Sequence, residues 1–62
     1  MKRYRVHYTQ FVKGGKNQET ETMTVDLDAK DFEDITKRAY MYLMVMNVPG
    51  GEIFRIELLE VA

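Results

Sequence analysis

Polar and apolar residues alternate strictly over two stretches in the first half of the chain. Along residues 3–12, Tyr4, Val6, Tyr8 and Val12 fall on one side. Arg3, Arg5, His7, Thr9 and Phe11 fall on the other. A period of two, rich in aromatic and β-branched residues, predicts a strand. Residues 18–27 repeat the pattern, with Met23, Val25 and Leu27 on one face and Thr20, Thr22, Thr24 and Asp26 on the other. Between the two, Lys13-Gly14-Gly15-Lys16-Asn17 predicts a turn, because glycine reaches positive φ at little steric cost. The two strands should form a hairpin.

Cross-strand partners share a face, so apolar positions must meet apolar positions. Two registers satisfy this. One pairs Tyr4 with Leu27, Val6 with Val25 and Tyr8 with Met23, around a four-residue loop. The other closes on Gly14-Gly15, a good hairpin turn, but sets Lys13 against Lys16 and Tyr8 against Glu21. The first is preferred. Either one places an arginine, Arg5 or Arg3, opposite Asp26 on the outer face.

Beyond the hairpin a helix is expected from Ala29 to about Met46. Asp28 would cap it by accepting from the backbone N–H of Asp31. Asp31, Glu33 and Asp34 suit the positive end of the helix dipole. Asn47 can end it, and Pro49 disfavours helical geometry at Val48. Such a helix spans about 27 Å, close to the ~26 Å of an eight-residue strand. Gly50-Gly51 then turns the chain into a third strand at 52–61. Phe54, Ile56 and Leu58 should share one face; Ile53, Arg55, Glu57, Leu59 and Val61 should share the other. The order is β-β-α-β and the class α+β: one helix on a three-stranded antiparallel sheet, with strand order 2-1-3 preferred. The expected core is Tyr4, Val6, Tyr8, Met23, Val25, Leu27, Phe32, Ile35, Ala39, Leu43, Met46, Phe54, Ile56 and Leu58.

One feature of this pattern exceeds what the fold needs. Residues 39–46, Ala-Tyr-Met-Tyr-Leu-Met-Val-Met, are apolar all round the helix. At 100° per residue, Phe32, Ile35, Ala39, Tyr42, Leu43 and Met46 form the stripe toward the sheet. Met41, Met44 and Val45 fall roughly opposite. A contiguous exposed apolar patch marks an interaction site, and methionine suits surfaces that repack. Tyr40, Met41, Met44, Val45 and Val48 are therefore the candidate protein interface. Tyr40 has a helical angle between the two faces. The simplest partner is a second copy, since most soluble oligomers are symmetric homodimers. A strand edge is a second route to pairing, because the third strand carries apolar residues on both faces.

Size sharpens that reading. The 62 residues suit one small domain. A chain of about 60 residues hides only ~60% of the surface exposed by its unfolded form. Small folds compensate with disulfides, a metal or a second subunit. Cysteine is absent and His7 is the only histidine, which leaves no disulfide and no Cys- or His-cluster zinc site. No cofactor or metal is expected. No stretch approaches the ~20 apolar residues of a membrane span. Val6-His7-Tyr8-Thr9-Gln10 follows the basic start where a secretory signal would be apolar. A cytoplasmic protein is expected, of a size common in bacteria and their phages.

Candidate chemistry is thin. The chain has no serine and no cysteine, so neither can serve as nucleophile. His7 has only Thr22 and Thr24 as evident neighbours across the hairpin, and the pattern places no orienting carboxylate. The acidic run Asp26, Asp28, Asp31, Glu33 and Asp34 lacks the turn glycine and distal glutamate of a calcium loop. Gly14-Gly15 between lysines joins two strands and does not lead into a helix as a phosphate loop does. No enzyme is expected. The alternative to a protein-interaction module is nucleic-acid binding by Lys2, Arg3, Arg5 and Arg55 on a sheet face. The net charge of −1 speaks against it. The leading expectation is a small non-enzymatic module that self-associates, an adaptor or inhibitor of a larger protein.

Overall fold

The computed structural model of the chain describes residues 1–14 and 17–61. Strand β1 (Lys2–Gly14) and strand β2 (Asn17–Ala29) are followed by helix α1 (Phe32–Val45) and strand β3 (Glu52–Val61). The sheet is antiparallel in the order β2-β1-β3. The β-β-α-β architecture and the 2-1-3 order thus agree with the alternation of the sequence.

The hairpin takes the register that matches apolar faces: Tyr4 opposite Leu27, Val6 opposite Val25, Tyr8 opposite Met23. Pairing does not stop at the expected four-residue loop. It continues through Lys13↔Gln18 to Gly14↔Asn17. Gly15 and Lys16, part of the expected turn, lie outside the described residues. Each strand has 13 residues, about 43 Å at ~3.3 Å per residue. The molecule is accordingly elongated, 45 × 19 × 13 Å. β3 begins opposite Thr9, so the hairpin beyond Gln10 and Glu21 projects past the third strand.

The helix is shorter than expected, 14 residues or about 21 Å, and its cap is different. Asp28 is still in β2, and Ala29 is fully buried at that strand's end. Asp31 is the cap: its carboxylate accepts from the Asp34 N–H at 2.8 Å. The Asp34 carboxylate reaches back to accept from the Lys30 N–H at 3.0 Å. Two otherwise unpaired donors are satisfied reciprocally, as in a capping box. The exit follows Asn47 as expected. With φ of 53°, Asn47 takes the left-handed conformation. Val48 N–H donates to Leu43 O and Asn47 N–H to Met44 O, the two bonds of a Schellman motif.

Two register shifts in the β1–β3 ladder overturn the expected faces at the two ends of the third strand, while Arg55, Ile56, Glu57 and Leu58 between them keep theirs. One lies between Arg3 and Tyr4, the other between His7 and Tyr8. Phe54 and Leu59 are the extra residues. Each such bulge moves the following side chains to the other face. Ile53 therefore pairs with Tyr8 on the helix side and Phe54 does not. Phe54 is 58% exposed, its ring centroid 6.0 Å from that of His7 on the outer face. Ile53 and Ile56 pack against the core formed by Tyr4, Val6, Ala29, Ile35 and Ala39. Phe32, Met46 and Leu58, expected inside, are also exposed. Phe32 and Met46 stand at or just beyond the ends of a helix too short to bury them.

Candidate interaction surfaces

Helix α1 buries one narrow stripe, Ile35, Ala39 and Leu43. Spacing of four residues keeps these on one side. Tyr40, Met41, Met44 and Val45 are all more than half exposed, Met44 at 79% and Val45 at 75%. Tyr40, undecided by its helical angle, points outward. Met46 adds to the same exposed run. Val48 is set apart from it. It is half-buried, with its Cγ1 beside the Gly51 backbone and near the Leu43 side chain. There it closes the Schellman turn. Four of the five candidate interface residues thus form an exposed cluster, and the fifth serves the helix cap.

The opposite face of the sheet is a lattice of alternating charge. β1 contributes cations to the centre, and both edge strands contribute carboxylates. Arg5 donates to both oxygens of Asp26, at 2.9 and 3.1 Å. Arg3 Nε lies 3.1 Å from Asp28, and its Nη1 lies 3.6 Å from Glu60. His7 Nε2 is 2.7 Å from Glu57 Oε1, and Arg55 is 3.6 Å from the other Glu57 oxygen. Alternation places Glu57 on this outer face, but it fixes no register between β3 and β1 and so does not bring this carboxylate beside His7. Thr24 is indeed opposite His7 on the other strand.

This geometry bears directly on the basic residues considered for nucleic acid. Arg3 and Arg5 are each engaged by carboxylates, and Arg55 shares Glu57 with His7. Lys2 is opposite Ala29 and Val61, which puts it on the helix side with Tyr4 and Val6. The four residues do not form one basic patch. The acidic run is likewise accounted for by structure. Asp26 and Asp28 hold arginines, Asp31 and Asp34 cap the helix, and Glu33 lies 3.5 Å from Lys37. A surface hollow beside the helix start is lined by Lys30, Asp31, Glu33, Asp34 and Lys37. Among the described residues no three His, Asp or Glu side chains are gathered in a metal-binding group. No helix among them is long and apolar enough to cross a membrane.

Three of these carboxylates, Asp26, Asp34 and Glu57, titrate low. The Arg5 hydrogen bond holds Asp26 below the usual carboxylate range. The Lys30 N–H does so for Asp34, with Arg38 adding to it. For Glu57 the His7 hydrogen bond is the largest cause and Arg55 a further one. A depressed carboxylate binds fewer protons folded than unfolded. Its stabilisation is complete above the unfolded pKa and is lost as pH falls through the folded value. The melting temperature should therefore fall as pH drops below about 4. Asp26→Asn should flatten part of that fall. An unchanged melting temperature between pH 5 and 3 would contradict this account.

On the other side of the sheet, burial and the nearby Tyr42 raise the Tyr8 phenol. The two rings meet edge to face at 6.3 Å. Set against known protein families, curated proteins and solved structures, the chain matches none of them.

Proposed function

We propose that this protein is a small, non-enzymatic interaction module whose partner is a second copy of itself. Its contact surfaces are the outer face of α1 and an edge of the sheet. The observation that supports the reading is the uncharged, exposed run Tyr40, Met41, Met44, Val45 and Met46. A cluster of this kind is uncommon on a monomer. The second copy is favoured by charge and size. No charged residue occurs from Ala39 to Gly51, so a matching surface must also be neutral, and the same face of another copy is. The core supports the same choice. Ile35 and Val6 are the large side chains with under 2% exposure, a small interior that a subunit interface would enlarge.

Light scattering over a concentration series tests the proposal. The expected mass is twice 7.3 kDa, falling on dilution. Met44→Lys with Val45→Glu should weaken association and leave the far-UV circular dichroism unchanged, since both side chains are exposed. A mass of one chain at every concentration would refute self-association. An unfolded double variant would assign this face to the core. The nucleic-acid alternative gains no support from a net charge of −1 and from arginines already held by carboxylates.

A further inference from the structure

The two edges of the sheet differ. β3 is interrupted by two bulges, a common means of blunting an edge against further pairing. β2 pairs with β1 without a register shift over its full length. From Glu19 to Asp28 it has no lysine, proline or glycine. Of the four charged residues there, which can also guard an edge, Asp26 and Asp28 are paired with Arg5 and Arg3, and Glu19 and Glu21 lie toward the hairpin tip. Among the described residues, no backbone bond from a turn or loop reaches its outer side.

The free backbone groups of β2 can be identified. Phe11 N–H donates to Pro49 O at 2.8 Å, away from β2. Groups alternate along an antiparallel strand, so odd residues of β1 bond toward β3 and even ones toward β2. Their partners in β2 are odd. The even residues, Thr22, Thr24, Asp26 and Asp28, therefore direct N–H and C=O to the open edge.

We propose that two copies pair antiparallel along β2, about a two-fold axis at Val25, and join their sheets into one of six strands. The inference rests on the self-association reading and names its geometry. In this register Val25 meets Val25 of the second copy, and Met23 meets Leu27. On the outer face Thr24 meets Asp26, and Thr22 meets Asp28. No residue from Glu21 to Ala29 faces a like charge. Shifting the axis to Thr24 would set Glu21 against Leu27, and shifting it to Met23 would set Glu21 against Val25. Matching of apolar faces selects Val25. Met23, Val25 and Leu27 are only half-buried in one copy, and pairing covers them further. The aspartates brought to the seam are already neutralised within each copy, Asp26 by Arg5 and Asp28 by Arg3. Both helices lie on the same face of the joined sheet.

Amide hydrogen exchange on the unaltered chain, above and below its dissociation concentration, tests the geometry. Amides of Thr22, Thr24, Asp26 and Asp28 should exchange at least ~10-fold more slowly in the dimer, reaching the protection of their odd neighbours. Val25→Cys, in a chain that otherwise has no cysteine, should cross-link two copies under mild oxidation. Opposed residues at a non-hydrogen-bonded pair have Cα atoms about 4.5 Å apart, within disulfide range. Thr20→Cys, whose opposite position would be Lys30 of the second copy, should not cross-link. A dimeric mass with the even amides still unprotected would overturn edge pairing and leave self-association standing. A monomeric mass at all concentrations would overturn both.

Discussion

Ile35→Ala is expected to remove about 2–5 kcal/mol of stability, a large share of the roughly 3–9 kcal/mol available to a chain of this length. Ile35 is wholly inaccessible to solvent. It sits in the cluster of Tyr4, Val6, Ala29 and Ala39 that joins the helix to the sheet. Its neighbours on the helix stripe cannot fill the space, because Ala39 is small and Leu43 lies two turns away. The cavity would open where the helix meets the sheet. In urea the midpoint should fall with the slope unchanged, since the surface exposed on unfolding is similar. Ile35→Val should cost about 0.5–1.5 kcal/mol. A midpoint for the alanine variant within error of the parent would mean that the helix adds little to holding the sheet. Measurements belong at one fixed protein concentration, because association adds stability by mass action.

Such a result would also test how far residue patterning dictates this fold. The hairpin register was legible because Tyr4, Val6 and Tyr8 have one apolar set to meet, Met23, Val25 and Leu27. A slip of two would have opposed Tyr8 to Glu21. Ile35, Ala39 and Leu43 were legible by their spacing. The third strand was not. Its bulges arise from pairing with β1, and a residue inserted by a bulge leaves no trace in simple alternation. Alternation therefore points Phe54 inward and Ile53 outward, whereas in the ladder Ile53 pairs with Tyr8 against the core. The helix start is not decided by local pattern either. Asp28 and Asp31 are both good caps in isolation. What decides between them is tertiary: Arg3 holds Asp28 in the sheet at 3.1 Å, and Ala29 is buried at the strand end.

The exposed cluster on α1 was legible, since an apolar run longer than one helix face must show on the other. Its separation from Val48 was not. That residue's place depends on the backbone reversal at Asn47. Nor could alternation give the His7–Glu57 contact: it puts both residues on the outer face, but the β1–β3 register that sets them diagonally adjacent comes from the pairing itself. The unprotected edge of β2 follows from strand order together with the absence of bulges. Composition alone shows only the missing lysines and prolines.

Gly50→Ala is expected to cost about 2–4 kcal/mol, from two separate causes. The first is backbone conformation. Gly50 has φ of +63°, where a Cβ costs about 1–2 kcal/mol. Pro49-Gly50 has the type II turn pattern, with proline before a residue of positive φ. The second cause is steric. An added Cβ would stand 2.4 Å from Cδ2 and Cε2 of the Phe11 ring, and 2.8 Å from its Cγ. The ring has limited freedom to withdraw, because the Phe11 backbone is tied to Pro49 O at 2.8 Å. The contact therefore locks the loop after the helix to the projecting part of the hairpin. The two causes separate in a double-mutant cycle. In a Phe11→Ala background the steric cost should vanish and the conformational cost of about 1–2 kcal/mol should remain. Equal costs in both backgrounds would show that Phe11 does not rest on Gly50. A Gly50→Ala variant as stable as the parent would show that this turn does not hold positive φ. Either result would leave the Phe11 N–H bond to Pro49 O, and not the ring on Gly50, as what ties the hairpin arm to the helix exit.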